Sequence, residues 1–72
     1  MSQLRTLRFG VIGCGLRGRL FARALAGLPA VNVAAVTDLD SARAAAVAAE
    51  VGAQPAADLD RLVRFGLDAV VV

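Results

Sequence analysis

Three glycines and one acid are the residues of this chain whose types and spacing could do chemistry. Gly13, Gly15 and Gly18 stand in the run Gly13-Cys14-Gly15-Leu16-Arg17-Gly18, and Asp38 follows 20 residues after Gly18. That spacing describes a loop that receives a pyrophosphate and a carboxylate that meets a ribose. Gly13 permits a tight turn, Gly15 lets the pyrophosphate approach the backbone, and Gly18 lets the following helix pack close to a sheet. The amides of Leu16, Arg17 and Gly18 would then face the phosphates at the positive end of the helix dipole. Asp38 would accept hydrogen bonds from the adenosine ribose hydroxyls and repel a 2′-phosphate, so NAD is expected over NADP. The glycine pattern alone is weak in a chain with 7 glycines in 72 residues. A strand before it, a helix behind it and an acid at the end of the next strand make it specific.

The neighbouring residues bear on this reading. Asp40 is the better helix cap, which would leave Asp38 free; the alternative makes Asp38 itself a cap. Leu39 follows the acid where NADP enzymes often place a base. Arg43, a turn further on, reads as solvated helix face. Arg17 either covers the pyrophosphate or faces solvent. Cys14 reads as a small loop residue, because no histidine or lysine is present to activate it. Asp58, Asp60 and Asp68 read as caps or surface charge. One cysteine and no histidine cannot build a zinc site, and no residue qualifies as catalytic.

The elements that must position these residues follow from periodicity and punctuation. Met1 to Thr6 is a polar lead-in. Leu7 to Ile12 is a short run that reads as a strand buried on both faces. From Leu16 to Leu28, Leu20, Phe21, Ala24, Leu25 and Leu28 recur at helical spacing, with Arg17, Arg19 and Arg23 on the other face and Gly27 and Pro29 as the stop. Val31 to Thr37 is a second buried strand. Asp40 or Ser41 caps an alanine-rich helix to about Val51, ended by Gly52. Ala53 to Ala57 contains Pro55 and allows only a short edge strand or loop. Asp58 caps a third helix with Leu59, Leu62 and Val63 inward and Gly66 as terminator. Asp68 to Val72 opens another strand. The order β-α-β-α-(β)-α-β implies an α/β fold with a parallel sheet and right-handed crossovers: the N-terminal half of a doubly wound, Rossmann-like domain over 1–72, with no substrate domain. Its last strand ends in valines that need covering, which suggests that the natural protein continues.

Composition excludes more than it identifies. The 72 residues make at most one domain, 58% apolar but only 4% aromatic. All eight basic residues are arginines, interleaved with acids, and no aromatic platform accompanies them, so a nucleic-acid partner is not expected. No stretch suits a membrane span. Arg5 and Arg8 before Phe9 to Cys14 mimic a secretory signal, but the apolar run is short and glycine-rich, and three arginines follow it. A single cysteine fits a reducing, cytoplasmic compartment.

In this order and spacing the chain resembles the N-terminal domain of the Gfo/Idh/MocA oxidoreductases, the glucose–fructose oxidoreductase and inositol dehydrogenase family. The resemblance runs from about Arg5 through Leu7 to Gly15, Arg23-Ala24-Leu25 with Pro29, Val31 to Asp38, the helix to Gly52, Asp58-Leu59 to Leu62, and Asp68 to Val72. It implies a nicotinamide-dependent oxidoreductase acting on a sugar, polyol or related alcohol. The family's catalytic lysine and histidine lie in later parts, and this chain has neither residue type. The expectation is thus a nucleotide-binding portion that is inactive alone. Substrate binding, and any homo-oligomer, would belong to a full-length protein. Two other readings stay open on the residues: a small non-catalytic nucleotide-binding module, and another enzyme with the same loop, such as an amino-acid-pathway dehydrogenase or a methyltransferase.

Overall fold

The computed structural model describes residues 6–72. The lead-in expected over Met1 to Thr6 therefore lies, up to Arg5, outside the described residues. Seven elements follow in chain order: β1 (Leu7–Ile12), α1 (Leu16–Ala26), β2 (Val31–Thr37), α2 (Ser41–Val51), β3 (Gln54–Pro55), α3 (Leu59–Val63) and β4 (Ala69–Val71). The strands form one sheet in the order β3-β2-β1-β4, and every pairing is parallel. This is the Rossmann-like α/β arrangement that the alternation of elements requires.

Local chemistry sets the boundaries. Asp40 caps α2 by accepting from the amides of Ala42 (3.0 Å) and Arg43 (3.2 Å), and Gly52 ends it in the left-handed region at φ 73°. Asp58 caps α3 through the Arg61 amide at 2.9 Å. Gln54–Pro55 is as short as its proline demands, since proline offers no amide to a ladder. Ala30, in the turn before β2, adopts φ 61°, the sole left-handed non-glycine among the described residues.

The main core lies between the sheet and the α1–α2 layer. Val11, Val33 and Val36 meet Ala22 of α1 and Ala44, Val47 and Ala48 of α2 there, with Cys14 in the same cluster. On the opposite face Ala35 and Ala56 pack with Leu62, supported by Ile12, Phe65 and Leu67. The alanines bring the helices close to the sheet.

Two expectations about helix faces need correction. Helix α1 stops at Ala26, and its inward residues are Ala22 and, half-buried, Leu25. Leu20, Phe21 and Leu28 stay exposed, and so does Ala24. Only Ala22 of this helix is fully buried, and its small side chain allows the close approach to the sheet. In α3 Leu62 is fully buried, but Leu59 and Val63 are half exposed. Five residues make little more than one turn, so one inward position is what the helix supplies. The helix also stops at Val63, before Gly66, which instead makes a separate turn at φ 69°.

Candidate functional site

The glycine loop lies where β1 hands over to α1. Gly13 adopts φ 91° and donates its amide to the Thr37 carbonyl at 2.8 Å, tying the loop to the end of β2. A Cβ at Gly18 would overlap the Gly13 carbonyl, so helix and turn are in direct backbone contact there. Gly15 differs from both. Its φ of −69° is open to any residue, and a Cβ added to it would meet only the Arg43 guanidinium, 3.9 Å away. The packing of the described residues does not require glycine at position 15.

Gly15 is also the N-cap of α1, and no side chain caps that end. The helix's first backbone bond here is from Arg19 to the Gly15 carbonyl at 2.8 Å, which leaves the amides of Leu16, Arg17 and Gly18 ahead of the ladder. The contrast with α2 and α3, each capped by an aspartate, is direct. Arg17 is exposed at this end.

Asp38 is not free, contrary to the expectation. One carboxylate oxygen accepts from the Cys14 amide at 2.5 Å, and the other from the Asp40 amide at 2.7 Å. The side chain thus joins the end of β2 to the glycine loop and shapes the entry to α2. These two amides, with a smaller contribution from the Arg43 guanidinium, hold its carboxyl below the usual carboxylate range. A carboxylate has about four lone-pair positions, so two remain for other donors. Asp40 fills the capping role as expected.

Cys14 is buried, with its Sγ against the Thr37 carbonyl at 3.6 Å. Burial, with the Asp38 charge second, pushes its thiol up from the ordinary value. It is a packing residue, as the lack of an activating base suggested. Arg43 leans toward the loop, near Gly15 and 3.9 Å from Asp40, instead of facing solvent alone.

Hollows flank the loop at the carboxyl edge of the sheet. One, of about 490 Å³, lies between the ends of β1 and β2 and the start of α3, and includes Ile12, Asp38, Leu39, Ala57, Asp58 and Leu59. Another, of about 310 Å³, lies over the ends of β1 and β4 beside Gly15, Arg17, Phe21 and Val72. The strand order reverses between β1 and β4, the place where open α/β sheets receive ligands. A hollow at the amino edge, beside Ala30, Asn32 and Gly52, is lined by no charged side chain among the described residues.

Three contacts were not legible as local patterns. Arg8 of β1 donates to the carbonyls of Phe65 (2.9 Å) and Gly66 (3.2 Å), closing the end of α3. Asp68, read as surface charge or a cap, accepts from the Arg8 amide at 2.8 Å and so fixes the entry to β4. Gly10, in the middle of β1, faces Leu67 and Leu62, whose side chains would crowd a Cβ. A glycine inside a strand is itself a signal of such close approach.

Comparison with known proteins agrees with this geometry. Residues 7–72 match the model of an oxidoreductase family with an NAD-binding Rossmann fold, Gfo/Idh/MocA. Inositol 2-dehydrogenase 1 of Saccharopolyspora erythraea is 42% identical over 71 residues, covering 93% of this chain and 21% of that protein. The Lactobacillus casei myo-inositol dehydrogenase, solved with NAD(H) and myo-inositol, superposes with a TM-score of 0.83 at 35% identity, over 93% of this chain and 21% of that one. UDP-N-acetylglucosamine 3-dehydrogenase of Acidithiobacillus ferrooxidans gives 0.80 at 39% identity, over 89% and 20%. The chain therefore spans about one fifth of the length of these relatives. No helix among the described residues is long and apolar enough to cross a membrane. Matched by the family model over residues 7–72 and by a relative at 42% identity, the chain belongs to the Gfo/Idh/MocA oxidoreductases, as a part of their NAD-binding Rossmann domain.

Proposed function

We propose that Gly13, Gly15, Leu16, Arg17, Gly18 and Asp38 hold the adenosine diphosphate half of NAD, and that the chain is the first part of the cofactor domain of a sugar or polyol dehydrogenase. The observation that carries this reading is Gly15: nothing among the described residues requires a glycine there, yet it stands before an uncapped helix end. A pyrophosphate supplies the reason, since it needs both the bare backbone and the unpaired amides. Asp38, already charged and oriented by two amides, keeps acceptor capacity for the ribose hydroxyls and disfavours a 2′-phosphate.

When bound, the nicotinamide supplies the hydride chemistry. This chain's residues bind and orient the far end of the cofactor. The chain carries no lysine or histidine, and we assign the groups that move the substrate proton to the remainder of the full-length enzyme, as the family resemblance implies. The inositol and amino-sugar relatives support a cyclic alcohol as substrate. A substrate domain, a homo-oligomer and a cytoplasmic setting complete the reading for the full-length protein; the lone cysteine supports the last.

The test is titration of the folded chain with NADH and NADPH by calorimetry, with Asp38→Ala and Asp40→Ala beside it. The expected result is saturable NADH binding, weaker NADPH binding, and a larger loss from Asp38→Ala than from Asp40→Ala. Equal losses would defeat the ribose assignment, and binding of adenosylmethionine without NADH would defeat the dinucleotide reading.

A further inference from the structure

The hollow between the carboxyl ends of β1 and β2 and the start of α3 combines apolar side chains with two carboxylates. Its lining includes the apolar side chains of Ile12, Leu39, Ala57 and Leu59. Leu39 is fully exposed and Leu59 half exposed, so the structure leaves both uncovered beside the Asp38 carboxylate. The hollow's polar side chains are Thr37, Asp38 and Asp58. Thr37 has its hydroxyl committed to the Ala56 carbonyl at 2.8 Å. Asp38 belongs to the ribose in the reading above. Asp58 uses one oxygen to cap α3 through the Arg61 amide, and its other oxygen takes no hydrogen bond from the described residues. The side chains of this hollow therefore offer acceptors and no uncommitted donor. Opposite the second Asp58 oxygen, a ring edge that carries an amine is favoured and one that carries a carbonyl is disfavoured, since the carbonyl lone pairs would face a carboxylate.

We propose that Asp58 is a specificity-determining residue that accepts a hydrogen bond from the exocyclic amine of the adenine ring, so that the chain takes adenine and rejects keto purines. This rests on the dinucleotide reading and deepens it: Asp38 reads the sugar, and Asp58 reads the base.

The experiment compares NADH with reduced nicotinamide hypoxanthine dinucleotide, in which a carbonyl replaces the adenine amine, by calorimetric titration of the chain. NADH is expected to bind about tenfold more tightly, the size of one net hydrogen bond to a charged group. Asp58→Asn keeps the capping oxygen and turns the second acceptor into a donor, so the preference is expected to vanish or invert. Asp58→Ser keeps a cap and removes the second acceptor, and is expected to abolish the preference; it serves if Asp58→Asn does not fold. Equal affinity of the unaltered chain for the two dinucleotides overturns the proposal, as does an undiminished preference in a folded variant. Failure of both dinucleotides to bind the folded chain is a different result: it overturns the dinucleotide reading itself.

Discussion

Alanine at position 18 and alanine at position 15 should do opposite things. At Gly18 the new methyl overlaps the Gly13 carbonyl, a backbone atom that cannot rotate aside. Gly13 is itself fixed by its bond to Thr37 and by φ 91°, so the start of α1 must move off the sheet. Overpacking of this kind costs about 1–3 kcal/mol and more where backbone is involved, while the helix preference for alanine over glycine returns about 1 kcal/mol. Taking the upper part of that range, the net loss is about 2 kcal/mol, from a total stability of about 4–11 kcal/mol for a chain of this length. The melting temperature should fall by roughly 8–16 °C. At Gly15 the methyl meets nothing closer than 3.9 Å. The weaker capping of alanine and the lower entropy of the unfolded chain nearly cancel, so stability should change by less than about 1 kcal/mol. NADH affinity should nevertheless drop at least about tenfold, because the methyl occupies the pyrophosphate's approach. Thermal melts by circular dichroism and NADH titration of the two variants decide the matter. A Gly18→Ala melt within 2 °C of the parent (roughly half a kcal/mol at most), or a Gly15→Ala variant that loses stability and keeps its affinity, would refute the assignment of one glycine to the fold and the other to the ligand.

Further expectations follow from contacts already described. Arg8→Leu removes the donors from the Phe65 and Gly66 carbonyls and should lower stability by about 1–2 kcal/mol in denaturant titration, with proteolysis beginning near residue 66. Ala30→Gly relieves a left-handed alanine and should raise the melting temperature by a few degrees, about 1 kcal/mol of strain set against glycine's entropy. Asp38 has its carboxyl depressed in the folded chain, so its stabilising bond to the Cys14 amide is complete above the ordinary aspartate value of about 3.9. That contribution is lost as pH falls through the lower folded value; the Cys14 amide resonance should titrate with a midpoint below the ordinary one. Glu50→Gln weakens the bridges to Arg19 and Arg23, which are exposed, and should cost less than about 1 kcal/mol in the same denaturant assay.

Much of this could be read from local sequence because the signals are local. β1, β2 and α2 have the expected bounds, since the glycine turn, the Asp40 cap and the Gly52 stop each act within a few residues. The faces of α1 and α3 were less legible. Apolar spacing marks a side of a helix but not what stands opposite, and Ala22 outranks Phe21 because close packing on the sheet rewards the smaller side chain. The double engagement of Asp38 was hidden for another reason: its partner Cys14 is 24 residues away, and hydrogen bonds of that reach leave no periodic trace. Arg8 and Asp68, 60 residues apart, are the extreme case.

The placement of β1 between β2 and β4 sets an order of assembly. β1 meets β2 across about 24 residues of chain, as the Cys14–Asp38 bond does, and meets β4 across 60. Closing the longer loop costs about 0.8 kcal/mol more in chain entropy, and during synthesis it must also wait for residues 68–71 to emerge. Gly13, Gly18 and Asp38 are all on the shorter loop. The segment proposed to cradle the phosphates can therefore take shape while the other flank of β1 is still bare, and an early-bound nucleotide would meet a nascent two-stranded unit, not a finished sheet.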